Sequence, residues 1–229
     1  MPQVARSEGK LATTLTGRKR SPRMIEKSMK TRTAIIRSAA RVIEKYGYVG
    51  CSVARVASRA KIAHGTFYLY FASQQDLFDA ILPFFTEDIL NEIGKASRNA
   101  KNIIEAEDLG IRANFAYLRT NSYLYRIISE AEAYSLAAFD YYLGRLNEKY
   151  SEGLHRFVPD AEGEGVSRKC HIAATMLEGA RVRLLRQFAL ENGKIGELPE
   201  DVIQAYLDFV GAGLTSLFSL DRNAPLAAG

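Results

Sequence analysis

The sequence predicts an all-α chain, with a three-helix domain near the N-terminus followed by a larger helical domain. Three observations carry this. Apolar residues recur at helical spacing in almost every segment from Thr31 onward. The separators between those segments are turn residues, Pro159-Asp160 with Gly163 and Gly165, then Asn192-Gly193 and Gly196 with Pro199. No stretch shows the sustained apolar–polar alternation of a half-buried strand.

In order along the chain, residues 1–27 lack apolar periodicity and are rich in Ser, Thr, Gly, Lys and Arg, which predicts a disordered basic arm. A first helix is expected over about 31–46, where Ile35, Ala39, Val42, Ile43 and Tyr46 share a face and Gly47 follows as a stop. Ser52 is an N-cap for a second, two-turn helix from Val53 to Ala60, with Val56 and Ala57 inward. A third short helix is expected from His64 to Phe71. Ser73-Gln74-Gln75-Asp76 resembles a capping box opening a fourth, interrupted by Pro83. Further helices are predicted near 102–119, 121–135, 137–157, 167–191 and 200–220. The boundaries that follow are 1–27 for the arm, 28–76 for the small domain and 77–229 for the large one.

Charge is distributed unevenly. The net charge is +5. Residues 1–32 contribute nine basic and two acidic side chains, and residues 33–73 six basic and one acidic, so the remainder carries 5 − 12 = −7. A cationic N-terminal end on an acidic body points to a polyanionic partner. The two cysteines, Cys51 and Cys170, form no close-spaced pair, and no apolar run is long enough for a membrane span. No secretory signal is apparent, so a cytoplasmic protein is expected.

Two short helices joined by about three residues are the pattern of a helix-turn-helix, whose second helix enters the major groove of DNA. Phe67 and Phe71, four apart, can anchor that helix, leaving His64, Gly65, Thr66 and Tyr68 facing outward. Thr66 offers a hydroxyl and a methyl to bases, Gly65 allows close backbone approach, and Tyr68 and Tyr70 offer phenols to phosphates. Ser52 and Lys61 flank the preceding helix, and Lys30 and Arg32 are the arm-side candidates for contact along the adjacent groove.

With these residues in view, the stretch from Thr31 to about Leu82 resembles the N-terminal domain of the tetracycline-repressor (TetR) family. The matching parts are Ala39-Ala40, Tyr46-Gly47-Tyr48, Ser52-Val53, Val56-Ala57, Gly65-Thr66-Phe67-Tyr68, Tyr70-Phe71 and Asp76-Leu77. The resemblance implies about nine helices, a two-fold dimer, palindromic operators and a ligand cavity in the C-terminal domain. The chain departs from the family pattern at Lys61, where Gly is usual, at Ala63, where a capping Ser is usual, and at Leu69, where a larger polar or aromatic residue is common.

The C-terminal domain is marked by tyrosines: Tyr117, Tyr123, Tyr125, Tyr134, Tyr141, Tyr142 and Tyr150, with Phe115 and Phe139 among them. Such a cluster suits an apolar ligand pocket with a few polar handles, and equally an ordinary core with surface phenols. The pocket candidates are Phe115, Tyr117, Tyr123, Tyr134, Phe139, Tyr142, Met176 and Arg183, the last also readable as a snorkelling surface side chain. The last helix is apolar almost all round, so a dimer interface is expected from Ala180, Leu184 and Phe188 with Tyr206, Val210, Gly213 and Leu217.

No Walker loop, dinucleotide fingerprint or nucleophile elbow is present, and His64, His155 and His171 have no ligand-like spacing. No enzyme, metal or cofactor is therefore expected. The function expected is that of a ligand-responsive, sequence-specific DNA-binding regulator: a homodimeric repressor released from a palindromic operator by a small hydrophobic or aromatic effector. An activator and a less sequence-specific architectural protein remain open. Pro83 suggests a kink through which ligand binding alters the spacing of the two DNA-binding heads, and a rigid break fits it as well.

Overall fold

A computed structural model of the chain describes residues 21–158 and 164–219. Residues 1–20 of the expected arm and the turn at Pro159-Asp160 and Gly163 lie outside the described residues. The helices are α1 (Pro22–Tyr46), α2 (Val53–Ala60), α3 (His64–Phe67), α4 (Gln74–Ser97), α5 (Ile103–Thr120), α6 (Tyr123–Tyr134), α7 (Leu136–His155), α8 (Glu164–Leu184) and α9 (Glu200–Phe218). The chain divides into two compact units, one ending at Ile81 and the next beginning at Leu82.

In the N-terminal unit, α1 starts nine residues earlier than periodicity indicates. Pro22 stands in its first turn, where its fixed φ suits a helix and its missing amide costs nothing. The turns that follow are held locally: Glu26 pairs with Lys30 at 2.7 Å, and the Thr31 hydroxyl donates to the Lys27 carbonyl. Met24 and Met29 are exposed and Ser28 is buried. This stretch therefore lacks the apolar stripe that would announce a helix.

Further along, α1 buries Ile35, Ile36, Ala39, Ala40, Val42 and Ile43, each large side chain contributing about 1.5–3 kcal/mol by leaving water. Gly47, at φ +70°, ends the helix while its amide donates to the Ile43 carbonyl. Tyr48 then meets Phe78 edge-on at 4.9 Å. The caps follow the sequence. The Ser52 hydroxyl accepts from the Arg55 amide, the Ser73 hydroxyl accepts from the Asp76 amide, and the Asp76 carboxylate reaches back to the Ala72 amide. Only α3 is shorter than expected, closing at Phe67, with Phe71 reached through a turn. Phe67 and Phe71 remain buried, 5.6 Å apart.

In the C-terminal unit, α7 packs on α6 and α8, and α9 packs on α5 and α8. Polar ties fix the registers. Asn147 of α7 donates to the His171 carbonyl and the Thr175 hydroxyl of α8. Arg145 and Tyr141 of α7 both donate to Glu87 of α4. Lys169 of α8 donates to the Leu217 carbonyl of α9. Around Pro83, α4 stays continuous, and the Thr86 hydroxyl donates to the Leu82 carbonyl.

The expected helix to 191 instead ends at Leu184 and passes through a π-turn, Leu185–Ala189. A two-residue antiparallel hairpin follows, pairing Leu190 with Ile195 and Glu191 with Lys194. Asn192 and Gly193 both have positive φ, the turn geometry that matches strand twist. Cys51 and Cys170 are buried free thiols, and burial pushes the Cys51 thiol up to about 12, so it acts as a small apolar core residue. Among the described residues, no helix is long and apolar enough to cross a membrane, and no cluster of three His, Cys, Asp or Glu is set to hold a metal ion.

Candidate functional site

The outward strip of the N-terminal unit is built on the Phe67 anchor. Because Phe67 is wholly buried, the residues around it must project away: His64, Gly65 and Tyr68 are exposed and Thr66 and Tyr70 half-buried. His64 and Tyr68 touch edge-on with centroids 5.4 Å apart, and Tyr68 also meets Phe67 edge-on at 5.3 Å. The strip thus stands on the core instead of hanging free. Lys61 is exposed beside it. No acidic side chain occurs between Glu44 and Asp76, while Lys45, Arg55, Arg59 and Lys61 do, so this face is cationic.

Three candidates have structural duties that the sequence did not reveal. Ser52 spends its hydroxyl as the cap of α2. Lys30, expected just before the first helix, and Arg32, expected in its first turn, both lie well within α1. There Lys30 is paired with Glu26, and the Arg32 guanidinium lies 5.1 Å from the centre of the Phe71 ring. One contributor was missed: Arg55 spans the turn, donating to the Gly50 carbonyl at 2.6 Å and covering the Tyr46 ring at 4.7 Å. Its signal was faint, because a basic residue in a basic segment looks like one more solvated charge.

Lys61 closes α2 in the left-handed conformation, φ +56° and ψ +43°, with its amide donating back into the helix. A side chain there is strained by about 1–2 kcal/mol. Lys61→Gly is therefore expected to stabilise the N-terminal unit by about 1 kcal/mol once glycine's extra chain entropy is counted. The same change removes a cation from the basic face, so the salt slope of DNA binding should drop by about 1. Thermal melts and a salt titration of binding check both. Ala63, at the N-cap of α3, has no side chain able to cap it.

In the C-terminal unit the expected tyrosine cluster does not converge. Tyr123 is buried, donates to Asn121 at 2.9 Å and meets Phe85 edge-on. Tyr142 is buried elsewhere on α7, where burial and nearby Glu178 raise its phenol above its ordinary value. Tyr134 and Met176 are exposed, Tyr117 and Phe139 half-buried, and Arg183 exposed. Phe115 of the expected set lines a cleft. That cleft, of about 280 Å³, is rimmed by Arg112 and Arg119, which are already paired with Glu200 and Glu197. The reason is geometric: at 3.6 residues per turn, seven tyrosines spread over α5, α6 and α7 point in several directions.

A second cavity, of about 240 Å³, lies among α4, α5, α7 and α8. Its walls are Leu90 and Ile93 of α4, Ile103 and Ala106 of α5, and Leu154 with Phe157 at the end of α7. Its polar floor is Glu107, Tyr150 and Arg181. Arg181 is buried and donates through Nε and Nη2 to Glu107 Oε1, which also accepts the Tyr206 hydroxyl. Burial opposes the Arg181 charge, but Glu107 and Tyr206 outweigh it and hold the group above its ordinary value. Gly110 makes room for the guanidinium, since a Cβ there would sit 3.4 Å from Nη2. Arg181 stacks 4.6 Å from the Tyr150 ring centre. The Arg181 Nη1 and the Tyr150 hydroxyl are buried with no hydrogen-bond partner among the described residues.

The expected dimer residues separate by face. Tyr206 and Val210 point into their own core, Ala180, Leu184 and Leu217 are half-buried, and Phe188 and Gly213 are exposed. The outward apolar side chains of α8 include Ile172, Met176 (68 % exposed) and Val182. On α9, Phe209 is 81 % exposed. Also on α8, burial pushes the Glu178 carboxyl from its ordinary value of 4.5 up to about 7. The native state then holds a proton that the unfolded chain has lost, so stability falls as pH rises from about 4.5 to 7. Glu178→Gln should flatten that slope and stabilise the protein at pH 8 by about 1 kcal/mol, less than full linkage because the carboxyl is partly exposed. Urea unfolding at pH 5 and pH 8, at fixed protomer concentration, reads this.

Residues 35–81 match the family model for bacterial regulatory proteins of the tetR family. The match covers the helix-turn-helix of the N-terminal unit and shows a DNA-binding domain of tetR type there. Proteins of that family regulate transcription and bind DNA through a helix-turn-helix, the motif that α2 and α3 form here. No curated protein matches the chain by sequence. Among solved structures, a tetR-family transcriptional regulator from Pectobacterium atrosepticum superimposes with a TM-score of 0.62 at 17 % identity, covering 88 % of this chain and 99 % of that one. The fatty acid degradation regulator FadR from Bacillus halodurans does so with a TM-score of 0.53 at 20 % identity, covering 88 % and 97 %. FadR from Bacillus subtilis, in complex with stearoyl-CoA, gives a TM-score of 0.53 at 19 % identity, covering 82 % and 97 %. At these identities the likeness is one of fold.

Proposed function

We propose that this tetR-family protein is a homodimeric, sequence-specific repressor that leaves a palindromic operator when a small hydrophobic effector binds its C-terminal unit. The observation that carries the reading is the strip His64, Gly65, Thr66 and Tyr68, held on the buried Phe67 within a face free of acidic residues from Lys45 to Gln75. In this reading Thr66 and Tyr68, with His64, bias the choice of bases. Lys61, Tyr70 and neighbouring cations bind phosphates, and Lys30 and Arg32 act from α1. The protein works in the cytoplasm, where bacterial DNA lies.

The dimer rests on the outward side chains Ile172, Met176, Phe188 and Phe209, with Ala212 and Gly213 allowing close helix approach. The effector rests on the cavity floored by Arg181 and Tyr150, where apolar walls surround a few polar groups. The stearoyl-CoA complex of a protein with this fold makes acyl compounds a class to try first. By linkage, operator DNA weakens effector binding by the factor with which effector weakens operator binding.

Selection of fragments from the source genome with full-length protein at near-physiological salt tests the reading. A shared palindrome, with half-sites about one helical turn apart or more, is the expected result. Recovery of fragments with no common site would overturn sequence-specific repression and favour an architectural role.

A further inference from the structure

We infer that the cavity recognises a neutral carbonyl group on an apolar molecule, such as an ester or thioester of an acyl chain, and not a free carboxylate. This rests on the effector reading of the cavity and deepens it. The cavity floor offers two unspent hydrogen-bond donors, Arg181 Nη1 and the Tyr150 hydroxyl, both buried and without a partner among the described residues. Arg181 stacks 4.6 Å from the Tyr150 ring centre, so the two donor-bearing groups belong to one wall. A buried donor left unpaired is costly, and an incoming acceptor relieves that cost. The phenol can also accept, but a guanidinium only donates, so the group that satisfies Arg181 must be an acceptor.

Charge decides which acceptor. The Arg181 guanidinium is already neutralised by Glu107, with which it shares two hydrogen bonds. A carboxylate placed on Nη1 would put a second negative charge beside one positive charge in a dehydrated site, and an unbalanced buried charge is strongly unfavourable. The cations at the rim do little to correct this. Lys149 is paired with Glu152 at 2.6 Å, and Arg156, which keeps its charge while donating to the Arg98 carbonyl, is exposed, so water screens it. A neutral carbonyl oxygen satisfies the donors without adding charge. Ile93, Ile103, Leu154 and Phe157 then cover the apolar remainder of the ligand.

Calorimetry on the full-length protein with methyl octanoate, octanoate and methyl octyl ether tests this, because the ether replaces only the carbonyl with a methylene. The ester is expected to bind about tenfold more tightly than either of the others, the value of one well-placed hydrogen bond. Tyr150→Phe should weaken the ester about tenfold and leave the ether unchanged. If that variant does not fold, the three ligands on the wild-type protein still decide. Equal binding of ester and ether, tighter binding of octanoate, or no binding by any of the three would overturn the inference. Ester binding that follows the expected order but releases no operator DNA would overturn the effector reading and leave the carbonyl site standing.

Discussion

Arg181→Leu is expected to destabilise the C-terminal unit by about 3–5 kcal/mol, the largest effect of any single change in that unit. The argument is the asymmetry of buried ion pairs. As a pair, Glu107 and Arg181 only offset the cost of taking two charges out of water. With the guanidinium gone, Glu107 keeps its burial and loses two of the three hydrogen bonds on Oε1. The Tyr206 hydroxyl alone cannot compensate a carboxylate in that setting. Replacing all three groups together, Glu107→Leu, Arg181→Leu and Tyr206→Phe, should recover most of the loss, because no polar atom of the cluster then remains to be satisfied. Urea unfolding at fixed protomer concentration measures both variants. A single variant within 1 kcal/mol of the parent would mean that water reaches Glu107.

Phe67→Ala should cost about 3–5 kcal/mol in the N-terminal unit and abolish DNA binding. Phe67 has no exposed surface, and it touches the rings of both Phe71 and Tyr68. Removing it opens a cavity directly beneath the strip that faces outward. α3 has only four residues, too few to hold a helix by its own hydrogen bonds, so its geometry depends on this packing. Two melting transitions are expected, the first shifted down and the second, from residues beyond Leu82, unchanged. Phe67→Leu, which fills most of the volume, should restore much of the binding.

The N-terminal unit was largely legible because its signals are local. Ser52 and Ser73 mark helix starts through hydroxyls that reach amides three residues on, and Phe67 and Phe71 lie four apart on one face. The start of α1 was not legible. Pro22 is a valid first-turn residue, but the turns after it are held by a Glu26–Lys30 pair instead of an apolar stripe. The hairpin at residues 190–195 was announced by Asn192-Gly193 and read as a bare separator, since two-residue strands are too short to show alternation.

By itself the sequence determined the helical class, the helix-turn-helix and the residues on its outer strip, since caps, turns and helical spacing act within a few residues. Tertiary structure alone decided which sides of α8 and α9 turn inward. A helix apolar almost all round has no preferred face until neighbours supply one, and α5 with α8 drew in Tyr206 and Val210 while leaving Phe209 outside. The same packing decided that Arg181 and not Arg183, two residues and more than half a turn away, meets Glu107 from 74 positions earlier in the chain. No spacing rule spans that separation. The polar floor of the cavity exists only because three helices bring these groups to one place.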